Sequence, residues 1–221
     1  MTQDTRFAAI DIGSNSFHLI IATVTRDGHY RVLGRYRQKV RLADGFDQQF
    51  VVSDTALQRG RECLTSFARL LQDIPSHRIR CVATATLRKA ANKNELLRVF
   101  EEALQHPIEI LSGEDEAQLI YQGATQHLQH TKQPVLVLDI GGASTEIILG
   151  KGPTPEHLVS LDMGCVTWQT RYFGDQIIRP EACQQAIDAA LAELKPHAAP
   201  FIQTSTQRVC GTSGIFRTLY D

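Results

Sequence analysis

The chain has 221 residues and a net charge of −1, from 23 Lys/Arg against 24 Asp/Glu. Its 43% hydrophobic and 21% charged content is that of an ordinary globular protein, long enough for one large core or two modest ones. Apolar runs such as Leu19–Ala22 are too short to cross a bilayer, and MTQDTRF lacks the basic-then-apolar order of a secretory signal. The five cysteines are scattered and form no C-x-x-C, so they read as reduced thiols of a cytoplasmic protein, without a disulfide framework or zinc site.

Taken in order, strands are predicted at 7–12, 17–25 and 30–41. A helix follows at about 54–72, entered through Ser53 and Asp54 as caps. IRCVATA (79–85) reads as a buried strand. Asn92-x-x-Glu95 resembles a capping box opening a helix to about 105. IEIL (108–111) is a short strand, and Ser112 caps the helix that begins GEDEAQLIY. The linker HTKQP (130–134) then suggests a domain boundary, with domains at 1–125 and 126–221. The second half repeats the opening, with strands at 135–140, 145–149 and 157–162. Helices follow at 165–173 and 180–195, then the strand QRVC (207–210), and GTSG opens a final helix. The second domain is expected to lack its closing elements.

Residues 7–21 (FAAIDIGSNSFHLII) and 134–149 (PVLVLDIGGASTEIIL) share one pattern. Each is an apolar run, Asp-Ile-Gly, small polar residues, and a second apolar run. Glycine permits a tight turn, and small side chains expose amide N–H groups to an anion. The candidate phosphate ligands are Gly13, Ser14, Asn15 and Ser16 in the first turn. In the second they are Gly141, Gly142, Ala143, Ser144 and Thr145. Asp11 and Asp139, at the strand ends, can orient water or a divalent cation. Plain hairpin turns are the competing reading for a single copy; two copies heading two domains favour phosphate, with two half-sites facing each other across a cleft.

Three further stretches carry chemistry. Glu114, Asp115 and Glu116 fill the first turn of a helix, where they complement its dipole or, beside a phosphate, activate water. Arg88, in ATATLRKAAN, suits bidentate phosphate binding or is an ordinary exposed arginine. Gly211, Thr212, Ser213 and Gly214 form a strand-to-helix turn able to face a nucleotide or phosphate, or to cap a helix. Arg35, Arg37, Lys39 and Arg41 alternate, so a strand would put them on one face as a basic rim attracting a polyanion. Trp168 is expected in the core.

Together AAIDIGSNSFHLII, ATATLR, SGEDEA, LDIGGASTE and MGCV resemble the exopolyphosphatase and guanosine pentaphosphate phosphohydrolase family, over nearly the whole chain. GGASTE with Ala143, LIYQG, QDIP, VATATLR and GCVTW resemble its guanosine pentaphosphate branch. The resemblance implies an α/β fold of two actin-like domains, the second incomplete. It implies removal of the 5′ terminal phosphate of guanosine pentaphosphate to give the tetraphosphate alarmone, with exopolyphosphatase action. Glu116 matches the catalytic glutamate and would be the general base. Asp139 matches a catalytic or metal-orienting aspartate, Asp11 is its counterpart, and Glu146 would support the metal. Magnesium (Mg²⁺) is the implied ion. No nucleic acid or membrane partner is implied; family members are often dimers, and the resemblance implies a homodimer for the full-length form. The alternatives are an exopolyphosphatase acting on long chains and a non-catalytic alarmone or polyphosphate sensor; a sugar or acyl kinase is disfavoured because no acceptor site is evident.

Overall fold

Alternating burial in the first strand sets the pattern of the first unit. The computed structural model describes residues 6–25, 29–128, 133–205 and 208–220. In it β1 (Arg6–Ile12) turns Ala8, Ile10 and Ile12 inward and leaves Phe7, Ala9 and Asp11 on the opposite face. β2 (Ser16–Val24) returns antiparallel to it, and β3 (Tyr30–Lys39) is the antiparallel edge. Helix α1 (Asp54–Leu71) buries Ala56, Gly60, Cys63, Leu64, Phe67 and Leu71, a stripe at helical spacing. β4 (Ile79–Ala83) lies parallel to β1; α2 (Ala85–Lys89), α3 (Lys93–Leu104) and β5 (Glu109–Ile110) complete the unit, with sheet order β3-β2-β1-β4-β5. Phe17 and Phe100 meet edge to face at 5.9 Å in the core. A Cβ on Gly60 would lie 2.5 Å from the Phe100 ring, so only glycine lets α1 settle there.

The second unit begins with a helix. α4 (Gly113–Thr125) buries Ala117, Tyr121 and Thr125. It packs on β6 (Val135–Ile140), β7 (Thr145–Lys151) and β8 (Thr154–Leu161). After α5 (Cys165–Tyr172), α6 (Pro180–Leu194) and α7 (Ala199–Gln203), β9 (Arg208–Thr212) adds parallel to β6, and α8 (Ser213–Tyr220) follows. The sheet order is β8-β7-β6-β9. Trp168 ties α5 to α6 through a bond from Nε1 to the Ala186 carbonyl, 3.3 Å. Both units thus carry the three-strand antiparallel opening and the parallel return strand expected of actin-like α/β domains. Among the described residues, no helix is long and apolar enough to cross a membrane.

Several local expectations change. The boundary expected at 125–126 compares with units of Met1–Leu111 and Ser112–Asp221. The reason is that the apolar face of α4 meets Val135, Val137 and Ile148 of the second sheet. Residues 130–132 of the expected linker, and Gln207 of QRVC, lie outside the described residues. The strand predicted at 79–85 ends at Ala83 because the chain coils into α2. Neither Ser53 nor Asn92 makes a side-chain cap bond. Asn92 instead clamps the backbone of Val52, accepting its N–H and donating to its carbonyl, both at 3.0 Å. Ser112 does cap α4, accepting the Asp115 N–H at 3.0 Å.

Candidate active site

Strand register assembles the site of the second unit. Asp139 stands opposite Glu146 across β6 and β7. Ser160 of β8 stands opposite Glu146, and Thr212 of β9 opposite Asp139. One polar row, Ser160–Glu146–Asp139–Thr212, therefore crosses all four strands. Period-two alternation puts it on the face that carries Val135, Val137, Ile148 and Leu158 under α4. The acids are the last residues of that face, where the apolar contact with α4 gives out.

The first turn of α4 sorts its three acids. Asp115 is taken up by the cap: the Ser112 hydroxyl donates to its Oδ2 at 2.6 Å. Glu114 is exposed, whereas Glu116 is half-buried, one turn before Ile120 on the flank that packs on the sheet. Its charge reaches Glu146.

Glu146 is 1% exposed. Burial pushes its carboxyl up to about 7, and the charges of Glu116 and Asp139 push the same way. The Ser160 hydroxyl, donating to Oε1 at 2.8 Å, and the Ser144 hydroxyl oppose that rise. Asp139 is likewise raised by burial and held down by hydrogen bonds from Thr212 and Ser213. Those two residues also brace the end of β6. Ser213 donates to the Ile140 carbonyl at 2.7 Å and Thr212 to that of Leu138 at 3.3 Å. Ser213 does so from a left-handed backbone, φ 69°, a conformation disfavoured for serine. Gly211 has a packing reason, since a Cβ there would lie 2.3 Å from the Phe216 ring. Within this unit, then, Thr212 and Ser213 serve Asp139, and Gly214 follows them in α8.

The glycine turn is oriented by α5. The Gly141 carbonyl accepts from the N–H of Cys165 at 2.9 Å; that of Gly142 accepts from Val166 at 2.9 Å and Thr167 at 3.1 Å. In a trans peptide the carbonyl and the next N–H point oppositely. The amides of Gly142 and Ala143 therefore point away from α5. Gly141 closes the turn by donating to the Ser144 carbonyl at 2.9 Å, and the Thr145 hydroxyl donates to that of Met163. Gly164 makes this contact possible: a Cβ on it would lie 2.4 Å from Gly142 C and Ala143 N. Gly164→Ala is expected to cost about 1–3 kcal/mol, read as a lower midpoint in urea unfolding. An unchanged midpoint would show that the turn yields freely.

The first unit holds a related turn with different neighbours. The Asn15 carbonyl accepts from Val40 N–H at 3.1 Å and Arg41 N–H at 2.9 Å, and the Ser14 carbonyl from Ala43 N–H at 3.0 Å. A Cβ on Gly13 would lie 2.9 Å from the Ser16 carbonyl oxygen. Ser14 and Ser16 are buried, whereas Asp11 is exposed. Asp11 stands opposite His18, and His18 opposite Arg37. Where the second unit has Glu146 and Ser160, the first therefore has His18 and Arg37. Burial, then the Arg37 charge, hold His18 below its usual range. Arg88 sits in the last turn of α2 and donates to the Leu111 carbonyl at 2.8 Å. Ala83, the residue that ends β4, is paired with Ile12, so α2 starts beside this turn.

Register thus joins Asp139 and Glu146, and α4 brings in Glu116. The sequence reading missed Ser160, His18 and Gly164. Counting two residues per repeat outward from Asp139 and Asp11 would have reached the first two only once strand pairing was known.

A family model described as the Ppx/GppA phosphatase family matches residues 20–221. Over 208 residues the chain is 46% identical to a guanosine-5'-triphosphate,3'-diphosphate pyrophosphatase of Pseudoalteromonas atlantica, covering 94% of this chain and 41% of that protein. It spans about two fifths of the length of that curated relative. Two solved structures are similar over 97% of the chain. An exopolyphosphatase from Cytophaga hutchinsonii has TM-score 0.85, 24% identity and 68% of its own length covered. The Aquifex aeolicus PPX-GPPA enzyme has TM-score 0.76, 25% identity and 70% covered. The chain belongs to the Ppx/GppA phosphatase family.

Proposed function

We propose that the protein removes the 5′ terminal phosphate of guanosine pentaphosphate, giving the tetraphosphate and inorganic phosphate, and that the same chemistry cleaves terminal phosphates from polyphosphate. The observation that carries this reading is the convergence of Glu116, Asp139 and Glu146 at one end of a sheet whose glycine turn aims its amides away from α5. The named activity of the Pseudoalteromonas relative supports the nucleotide substrate.

In this mechanism Glu116 takes a proton from water as the water oxygen bonds to the terminal phosphorus. The bridging P–O bond breaks, and its electron pair leaves with the shortened phosphate chain. The Gly142 and Ala143 amides of the turn shaped by Gly141, Ser144 and Thr145 face phosphoryl oxygens and stabilise the charge that develops on them. Gly13, Ser14, Asn15, Ser16 and Arg88 bind phosphate in the first unit, where Asp11 is a further cation ligand. Asp139 and Glu146 fit a divalent cation: they are cross-strand partners, and burial together with the Glu116 and Asp139 charges raises the Glu146 carboxyl, a penalty that a bound cation would relieve. Among the described residues no three metal-ligating side chains cluster. Such a set suits Mg²⁺, which keeps water and phosphate oxygens among its ligands and would supply charge neutralisation.

The test is phosphate release by this chain from guanosine pentaphosphate and from polyphosphate, with Mg²⁺ and with a chelator. Release that requires the cation is expected. Binding of either compound without release would leave a sensor in place of an enzyme.

A further inference from the structure

Residues 29–43 contain five Lys or Arg and no Asp or Glu. β3, which holds most of them, is an edge strand. Lys39, Arg37 and Arg35 stand opposite Ser16, His18 and Ile20. These three cations share one face, about 7 Å apart along the strand. The register shift between Ile21 and Ala22 breaks the alternation, so Arg31, opposite Thr23, falls on the other face. Arg41 lies past the strand end with φ 51°, so the rim expected from four alternating residues is a row of three. All three are exposed. Among the described residues none of them has a carboxylate partner; Arg37 donates from Nε to the Ser16 hydroxyl at 3.3 Å. On the same face Asp11 is the acid opposite His18, and Arg80 is already paired with Glu109 at 3.0 Å.

The row has a direction. Lys39 is level with Ser16, and the next two residues donate to the Asn15 carbonyl. It therefore starts at the Gly13–Ser16 turn and runs away from it along the edge. Charge on an edge strand does guard against unwanted pairing. Any charge serves that purpose, however, and three unpaired cations of one sign create a field that attracts a polyanion. A single-stranded nucleic acid would want aromatic rings on the same face for its bases. Beside the row itself the neighbours are exposed Ile20, half-buried His18 and buried Ser16; Tyr36 stands on the opposite face, across from Leu19, and the aromatics that share the row's face, Tyr30 and Phe7, lie beyond the register shift, opposite Val24 and Ala22.

We propose that Arg35, Arg37 and Lys39 form an accessory track for a linear polyphosphate chain, engaging the phosphates that extend beyond the Gly13–Ser16 turn. The choice of ligand rests on the function proposed above; the track itself rests on the geometry of β3. The experiment measures binding of long-chain polyphosphate and of tripolyphosphate to the whole chain by calorimetry, across a range of salt. The proteins are wild type, Arg35→Glu and Arg35→Lys, with melting temperature as the folding control. Arg35→Glu is expected to weaken long-chain binding about fivefold and to lower its salt slope by about 1. Tripolyphosphate binding and melting should not change, and Arg35→Lys should bind like wild type. Equal long-chain affinity in Arg35→Glu and wild type would overturn the track and leave the proposed function standing. Failure of wild type to bind either phosphate would overturn both. Single-stranded DNA bound as tightly as polyphosphate, and weakened equally by Arg35→Glu, would replace the proposed ligand with a nucleic acid.

Discussion

Glu116→Gln is expected to slow phosphate release about a thousandfold while the protein remains folded. The rate effect is that of losing a positioned general base, on the order of 10²–10⁴. The fold survives because the start of α4 is held elsewhere. The Ser112 hydroxyl accepts the Asp115 N–H and donates to the Asp115 carboxylate, and the Glu116 N–H bonds the Ser112 carbonyl, which glutamine leaves intact. Removing one first-turn charge costs about 0.3–1 kcal/mol of dipole interaction, a few degrees of melting temperature at most. Asp115→Asn is the informative contrast: it weakens the cap by about 1 kcal/mol and should leave the rate within about twofold. Steady-state release from guanosine pentaphosphate, paired with thermal melting, separates the two. A Glu116→Gln rate equal to wild type would remove Glu116 from the mechanism, and an equal rate loss in both variants would point to a damaged helix.

The strands, the four longer helices and both glycine turns were legible because each rests on local chemistry. Apolar runs on either side of Asp-Ile-Gly mark β1 and β2, and Ser53-Asp54 marks the start of α1 although Ser53 makes no cap bond. Sequence also singled out Glu116, but only through a family motif; by residue chemistry alone three adjacent acids in a first turn were indistinguishable. What separates them is tertiary. Asp115 is drawn back to Ser112, and Glu116 is carried toward Glu146 because Ala117 and Tyr121 pack on the second sheet. The roles of Asn92 and Ser160 were hidden for the same reason. Asn92 has capping chemistry, but 40 residues away a backbone needed both of its amide functions. Ser160 is an unremarkable strand serine until register sets it against a buried glutamate. The basic alternation over 35–41 overshot by one residue because β3 ends at Lys39 and Arg41 lies past it in a left-handed conformation that no glycine announces.

Glu146→Gln is expected to stabilise the protein above neutral pH in the presence of a chelator, and to cost it the cation. The Glu146 carboxyl is raised from 4.5 to about 7 by burial and by neighbouring negative charge. For a group whose folded pKa lies above its unfolded value, the contribution to stability is fully present below the unfolded value and is lost as pH rises through the folded one. Glu146 therefore contributes most below about 4.5, and its contribution declines up to about 7. Ionising it in the folded state by pH 8 corresponds to about 3 kcal/mol. Glutamine keeps the shape and lets the Ser160 hydroxyl continue to donate, but it has no charge to bury. Other carboxylates titrate in the same range, so the quantity to measure is the difference in urea unfolding free energy between wild type and Glu146→Gln. That difference should be small near pH 4.5 and should grow in favour of glutamine up to pH 8. Mg²⁺ should then raise wild-type stability at pH 8 more than that of Glu146→Gln, because the cation neutralises the charge that burial penalises. A pH-independent difference would mean that Glu146 ionises without penalty, as a solvated carboxylate does. Equal stabilisation of both proteins by Mg²⁺ would place the ion on other ligands.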